Sequence, residues 1–245
     1  GLVATRTMVK YGYDAVTGRL SSVTDEADLV TSYAYEKIGA ADGRPEATLL
    51  KSIDPPGAEK PWTIGYQPVA TDKEFGRFAN IARDALPSGV ATTRLVYEIP
   101  RSDQAPASGP WDMRPDTLKL LGQTSIPIDG TALFAPDVSS STDAKQASIS
   151  YLDTNGRTVN AVSPGASSSG PDPKPRVAIA EYDKFGNVKR SMTPSNRAAA
   201  LASGLTGAAL VSKARALSTE REFTSTDAGS RLTWELGPER SVRVG

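Results

Sequence analysis

The sequence predicts a mainly β protein: consecutive antiparallel β-hairpins laid side by side in a curved, spiralling open sheet, with a short α-helical insert. Three observations predict it. A turn signature, Asp followed by Gly three or four residues on, recurs along the chain. Apolar and aromatic residues alternate with polar ones on either side of it, the period-2 pattern of a strand with one buried face. A proline lies eight residues past Gly156, past Gly186 and past Ser230. Proline cannot donate to a ladder, so it ends each return strand.

Ile149 to Pro164 is the clearest copy. Ile149 and Tyr151 alternate with polar neighbours before Asp153-Thr154-Asn155-Gly156, and Arg157 opens the return run. An Asp at the first turn position bonds the backbone N–H two residues on. A Gly at the fourth accepts positive φ without a Cβ clash. Together they favour a type I turn closing into a Gly bulge. Tyr182-Asp183 with Gly186-Asn187 repeats this spacing, and Tyr13-Asp14 with Gly18-Arg19-Leu20 has one more turn residue. Asp72 to Gly76-Arg77-Phe78 has the longer spacing too. In Asp227 to Ser230-Arg231-Leu232, Ser230 stands where the Gly belongs. A repeated supersecondary unit is therefore the main message of the chain.

Taken in order, the first hairpin runs from Met8 to Asp25. The second goes out through Tyr33 and Tyr35, turns over a tip from Lys37 to Pro45, and returns through Leu49, Leu50 and Ile53. Asp54-Pro55-Pro56-Gly57 then stops it. The third leaves through Trp62, Ile64 and Tyr66 and returns through Phe78 and Ile81. The fourth leaves through Leu95 and Tyr97, has a long tip from Pro100 to Pro115, and is expected to return over Leu118 to Ile126. Asp129 to Asp143 reads as connection, with room for a short strand at Thr131 to Phe134. The fifth is Ile149 to Pro164, and Ser163 to Pro175 (163–175) reads as a flexible loop. The sixth goes out through Val177, Ile179 and Tyr182 and returns through Val188. Within 195–217, Ala198, Leu201, Ala202, Leu205 and Ala209 recur at helical spacing. Ser195 or Asn196 is placed to cap that helical insert, and Gly204 and Gly207 to split it. The seventh hairpin uses Phe223, Leu232 and Trp234. The whole of 1–245 reads as one repeat region. Its opening at Gly1-Leu2-Val3-Ala4 and its end soon after the last hairpin suit an internal piece of a longer polypeptide, with unpaired strand edges at both terminal hairpins.

Composition narrows the function. With 18 Pro, 21 Gly and only 38% apolar residues, the chain suits many turns and a thin core. Twenty-eight cationic and 28 anionic side chains give zero formal net charge, which argues against a nucleic-acid surface. There are no cysteines and no histidines. Disulfides, thiolate metal sites, a Cys nucleophile, a Ser-His-Asp triad and histidine general bases are thereby excluded within this chain. No apolar run reaches the length of a membrane-spanning helix.

At this point the residues resemble a known family. Tyr13-Asp14 with Gly18-Arg19-Leu20, and Tyr182-Asp183 with Gly186-Asn187, are similar to the tyrosine-aspartate (YD) repeat of bacterial Rhs proteins and teneurins. Ile149 to Pro164 fits as well, with Leu152 inserted between Tyr and Asp. The insert-rich pattern, including Met113-Arg114-Pro115-Asp116 and the helix after Pro194, looks like Rhs proteins of actinobacterial type. The resemblance covers nearly the whole chain. It implies a hairpin spiral forming part of a hollow shell, secreted or displayed at the cell surface, that encloses or presents a toxin-like C-terminal domain of the same polypeptide. The family's Asp-Pro-x-Gly self-cleavage core has no match here: Asp54-Pro55-Pro56-Gly57 has the letters but lies within ordinary repeats. No catalytic residue is carried over, no enzyme activity is expected, and no cofactor or metal is implied.

Other functions are weighed beside this one. Asp14, Asp153 and Asp183 fall one per turn tip, where a lone carboxylate serves as a turn cap rather than an acid or base. Arg19, Arg77, Arg157 and Arg231 are expected to make cross-strand pairs with carboxylates. The tyrosines suit core or lumen packing more than a sugar-stacking ladder. Asp25-Glu26 with Asp28 lacks the spacing and Gly of an EF-hand. The alternative function is a carbohydrate-binding or adhesin module contacting cell-surface glycans, with Trp111, in a polar loop, as the exposed ligand contact. A glycosidase would need paired carboxylates in a cleft, which sequence does not reveal.

Overall fold

A computed structural model describes residues 8–39, 47–67, 76–86, 89–102, 111–138, 143–164, 176–226 and 229–239. It is a mainly β fold. Fourteen antiparallel strands form one open sheet in which strand order follows chain order. The first hairpin is β1 (Lys10–Tyr13) with β2 (Leu20–Thr24). The second is β3 (Val30–Ile38) with β4 (Ala47–Asp54), and the third is β5 (Trp62–Tyr66) with β6 (Phe78–Leu86). Then come β7 (Gly89–Val96) and β8 (Asp129–Phe134). The fifth hairpin is β9 (Ser148–Leu152) with β10 (Thr158–Ser163), and the sixth is β11 (Arg176–Tyr182) with β12 (Val188–Met192). The last is β13 (Thr219–Thr226) with β14 (Gly229–Leu236).

The turn chemistry read from the sequence is present. Asp153 Oδ1 accepts from Asn155 N at 2.9 Å, Asp183 Oδ1 from Phe185 N at 2.8 Å, and Asp14 Oδ1 from Val16 N at 3.1 Å. The glycines that close these turns, Gly156, Gly186 and Gly18, have φ of 72°, 92° and 68°, which only a residue without a Cβ adopts freely. Asp72, Asp227 and residues 165–175 of the expected flexible loop lie outside the described residues.

Two expectations are corrected. The return run at Leu118 to Ile126 is not a strand. Pro115 sits at the first helical position with Asp116 in the first turn, the arrangement that starts a helix, and α1 runs Pro115–Lys119. Gly122 then turns the chain at φ 67°. The strand is β8, so Asp129 to Phe134 is part of the sheet rather than of a connection. The helical insert is two helices, α2 (Pro194–Leu201) and α3 (Gly207–Ala216), split around Gly204 and Gly207 as expected; only its start is corrected. Its cap is Thr193, two residues before Ser195 and three before Asn196, and Thr193 Oγ1 accepts from Asn196 N at 3.3 Å.

The chain forms two compact units. The first comprises Gly1–Leu95 with Ala135–Ser139, and the second Val96–Phe134 with Ser140–Gly245. Ala82 is the one buried hydrophobic residue among the first unit's described residues, so its hairpins rely on ladders and half-buried side chains. The second unit has a true core. Leu121, Ile179, Met192, Ala200, Leu210 and Ala214 pack together, with α2 and α3 lying against β11 and β12. Ile179 stands directly opposite Met192 in the ladder, which places both under the helices.

Candidate functional site

The repeated feature is the joint between one hairpin and the one before it. In four hairpins a tyrosine of the outgoing strand directly follows a one-residue register shift: Tyr13, Tyr35, Tyr66 and Tyr182 all occupy this seat. The shift aims the ring back across the neighbouring strand. Tyr35 Oη donates to Leu20 O at 3.0 Å, Tyr66 Oη to Leu50 O at 2.8 Å, and Tyr182 Oη to Thr158 O at 3.0 Å. Each acceptor is the residue just past the register shift on the preceding hairpin's return strand. In the seventh hairpin the seat is held by Phe223, which carries no hydroxyl.

Arginine completes two of these joints, at Tyr35 and Tyr182. The guanidinium carbon of Arg19 lies 5.8 Å from the Tyr35 ring centre, and that of Arg157 lies 4.7 Å from Tyr182's. Both arginines directly precede the acceptor residue. Arg157 also forks onto Asp153 Oδ2 through Nε (2.9 Å) and Nη2 (2.7 Å), and Nη1 reaches Asp183 O at 3.2 Å. One side chain therefore ties its own turn to the next hairpin's turn. The partners are the turn Asp and the neighbouring tyrosine, rather than a carboxylate opposite in the ladder. Burial alone would raise the Asp153 carboxyl, but the Arg157 guanidinium and the N–H groups of Arg157 and Asn155 outweigh it, so it lies below its ordinary value. The backbone N–H of Thr17, with its hydroxyl, holds Asp14 low in the same way. These carboxylates are turn caps.

The fifth hairpin departs from the pattern. Leu152 pairs with Thr158 after the register shift, so it occupies the tyrosine seat. Because side chains alternate, the one-residue insertion moves Tyr151 to the other face. There Tyr151 is fully buried and packs over Gly130, whose missing side chain leaves room for the ring: a Cβ at Gly130 would lie 3.0 Å from it. Burial pushes the Tyr151 hydroxyl above its usual pKa.

A second arrangement was not anticipated from the sequence. The segment from Leu121 to Ser125 has no ladder of its own and is held to three adjacent strands by buried polar side chains. From β10, Asn160 exchanges amide hydrogen bonds with Gln123 at 2.8 and 3.0 Å. From β11, Glu181 Oε1 accepts from Thr124 N at 2.7 Å and from its Oγ1 at 2.6 Å. From β12, Arg190 donates to Leu121 O at 2.8 Å and Gly122 O at 3.1 Å, and to Glu181 Oε2 at 2.8 Å. Arg190 Nε donates to Ser218 Oγ at 3.0 Å. Glu181 is 2% exposed and Arg190 3%. Burial would raise the Glu181 carboxyl, but Thr124 and Arg190 overcome that and keep it below its ordinary value. A signal was present: Glu181 shares its strand phase with Val177 and Ile179, and Arg190 with Met192. A charged residue on an apolar phase marks a buried pair.

Trp111, expected as an exposed ligand contact, is buried at 9% exposure. Its backbone O accepts from Ser102 Oγ at 2.9 Å, and Lys145 Nζ lies 5.8 Å from its ring centre. The polar composition of its loop concealed this, and Lys145, which lies by the ring, is distant in sequence. Asp25 Oδ1 accepts from Ala27 N and Leu29 N, so it caps a turn. Among the described residues no cluster of three or more metal-ligating side chains forms, and no helix is long and apolar enough to cross a membrane.

No protein-family profile matches the chain. No curated protein matches it either. Among solved structures, the crystal structure of TcdB2-TccC3-TEV is similar to it at 13% sequence identity and a TM-score of 0.38, over 92% of this chain. The match takes in 10% of that protein's chain, so the present sequence spans about a tenth of its length.

Proposed function

We propose that this chain is a non-catalytic wall segment of a larger secreted or surface-displayed polypeptide, in which successive hairpins build a partition that encloses or presents another domain. The observation that supports it most is the joint. In three hairpins the tyrosine hydroxyl is bonded to the backbone of the hairpin before it, in a sheet whose strand order is the chain order. Such a wall lengthens by adding hairpins, and three of them here make the same bond to their predecessor. The Tyr-Asp and Gly-Arg-Leu motifs that build the joint are those on which the resemblance to YD repeats rests. The role asks for area and continuity rather than for a reactive group. Its partners would be neighbouring repeats and the enclosed domain of the same polypeptide.

Reading the parent gene in both directions tests this. A downstream self-cleavage core followed by an unrelated C-terminal domain is expected, and that domain should resist added protease until the wall is unfolded. Repeats that run instead to a cell-wall anchor, or a C-terminal domain digested as fast as in isolation, would overturn the enclosing role.

A further inference from the structure

The two arginine joints differ in what their guanidinium groups do. Arg157 is fully engaged: it forks onto Asp153 Oδ2, donates to Asp183 O and lies over the Tyr182 ring. Arg19 lies over the Tyr35 ring, yet its guanidinium makes no hydrogen bond or ion pair among the described residues. Turn length explains the difference. Arg157 follows Asp153 by four residues, and Arg19 follows Asp14 by five. In the longer turn Asp14 Oδ1 accepts from Val16 N at 3.1 Å, Thr17 N at 2.7 Å and Thr17 Oγ1 at 2.8 Å. Asp14 Oδ2, whose counterpart in Asp153 holds the arginine, has no hydrogen-bond partner among the described residues.

These groups open into one cleft of about 340 Å³, lined by Asp14, Arg19, Ser21, Tyr33, Tyr35 and Thr48. That volume falls in the range of small-molecule sites, roughly 300–1,000 Å³. Its strands β2, β3 and β4 are each paired on both sides. Counting from Ser22 opposite Ser32 sets Ser21 opposite Tyr33, and Thr48 stands opposite Lys37. Tyr33 is half-buried like Tyr35, two residues on. Unlike Tyr35, its hydroxyl has no hydrogen-bond partner and its ring no stacked neighbour among the described residues. The hydroxyls of Ser21 and Thr48 are unpartnered in the same sense.

We propose that this cleft binds an acidic sugar, a pyranose carrying a carboxylate. The carboxylate takes the Arg19 guanidinium, whose planar fork matches it with two parallel hydrogen bonds. The C–H face of the sugar ring rests on Tyr33. The sugar hydroxyls exchange hydrogen bonds with Tyr33 Oη, Ser21 Oγ, Thr48 Oγ1 and Asp14 Oδ2. An acid is preferred to a neutral sugar because Arg19 and Lys37 set two cations in the lining against the single Asp14 carboxylate. A sugar is preferred to a bare carboxylate because three hydroxyls, each able to donate and accept, converge beside an aromatic ring. The bond from Tyr35 Oη to Leu20 O is left in place, so ligand binding and the joint coexist. Binding here does not depend on whether the wall encloses anything.

Titration of the isotope-labelled chain with sodium D-glucuronate, followed by amide chemical shifts, tests it. Saturable shifts at Ser21, Tyr33 and Thr48 with a millimolar Kd are expected, larger than those from glucose or from sodium acetate at matched ionic strength. Arg19→Gln should remove the preference for glucuronate over glucose. Tyr33→Phe should weaken glucuronate binding roughly tenfold or less, as for loss of one hydrogen bond. Acetate shifts as large as those from glucuronate would mean that any carboxylate, a protein's included, fills the site, and would overturn the sugar. Equal binding of glucose, or an undiminished preference for glucuronate in Arg19→Gln, would overturn the acidic ligand. No saturable shift at these residues into the high millimolar range would overturn the site itself.

Discussion

The hydroxyl of Tyr182 donates to the backbone carbonyl of Thr158, 3.0 Å away on the preceding hairpin. A side chain at the end of one repeat thus satisfies main chain at the start of the last repeat's return strand. Removing the oxygen alone isolates this bond from the packing of the ring. Tyr182→Phe is expected to lower unfolding free energy by about 1 kcal/mol, read from urea midpoints. Tyr35→Phe and Tyr66→Phe should behave alike. Tyr13→Phe should leave the monomer's stability unchanged, because its hydroxyl has no such acceptor in the chain's own described fold. Equal losses at all four positions would show that the hydrogen bond is not what the substitution removes.

The polar clasp under Leu121 to Ser125 should fail asymmetrically. Arg190→Leu strands the Glu181 carboxylate in a buried site and is expected to cost on the order of 3–5 kcal/mol. Replacing both Glu181 and Arg190 with apolar residues of similar size should cost less than either change alone, since no charge is then left unpaired. Amide exchange at Thr124 reads the local effect, because its N–H is bonded to Glu181 Oε1. Unchanged protection at Thr124 in the Arg190→Leu protein would contradict the clasp.

Gly130 is a packing position. A Cβ there would lie 2.9 Å from Ile99 O and 3.0 Å from the Tyr151 ring, and neither backbone nor a buried ring yields cheaply. Gly130→Ala is expected to destabilise by about 1–3 kcal/mol. Pairing it with Tyr151→Leu should recover part of the loss. No recovery in the double variant would mean that the Ile99 carbonyl alone sets the limit.

Acid should loosen the turns and the clasp together. Asp14, Asp153, Asp183 and Glu181 all have folded-state values below their ordinary ones of 3.8 and 4.5. The unfolded chain therefore binds protons more readily, and stability rises with pH across this range. The contribution is fully present above the ordinary values and is lost as pH falls through the depressed ones. Urea midpoints should be flat near neutrality and drop below about pH 4. Glu181→Gln should flatten part of that drop, and an unaltered acid limb in this variant would remove Glu181 from the account.

Trp111 is a core residue, so Trp111→Ala is expected to cost about 3–5 kcal/mol in urea unfolding. A stability change within a few tenths of a kcal/mol would show that the ring packs against nothing essential.

Much of the fold was legible because turn chemistry is local. Asp153, Gly156, Asp183 and Gly186 specify their turns through bonds within four residues, and period-2 patterning then sets which side chains share a face. The return run of the fourth hairpin reads as a strand because Leu118 and Leu120 flank Lys119 in period-2 alternation, while Pro115 and Gly122 make a helix and a turn of the same stretch. The clasp was hidden for a different reason. Gln123 and Asn160 are 37 residues apart, and Gly122 and Arg190 are 68 apart. Nothing in either neighbourhood names the other. The inserted Leu152 was visible, but its consequence, Tyr151 turned into the core above a glycine, required the register.

A sheet whose strand order is its chain order has a further property. No strand waits for a partner made later than its immediate successor. Apart from β7 with β8, each hairpin can form as soon as its own 15 to 25 residues are available, with the loop-closure cost confined to one connection at a time. In the second, third and sixth hairpins the joint tyrosine reaches backward, to a hairpin already formed, so those repeats are secured on arrival. Such a chain is suited to vectorial folding, emerging from a ribosome or a translocation pore from its N-terminal end and setting row upon row, without the long-range search that delays most large β proteins.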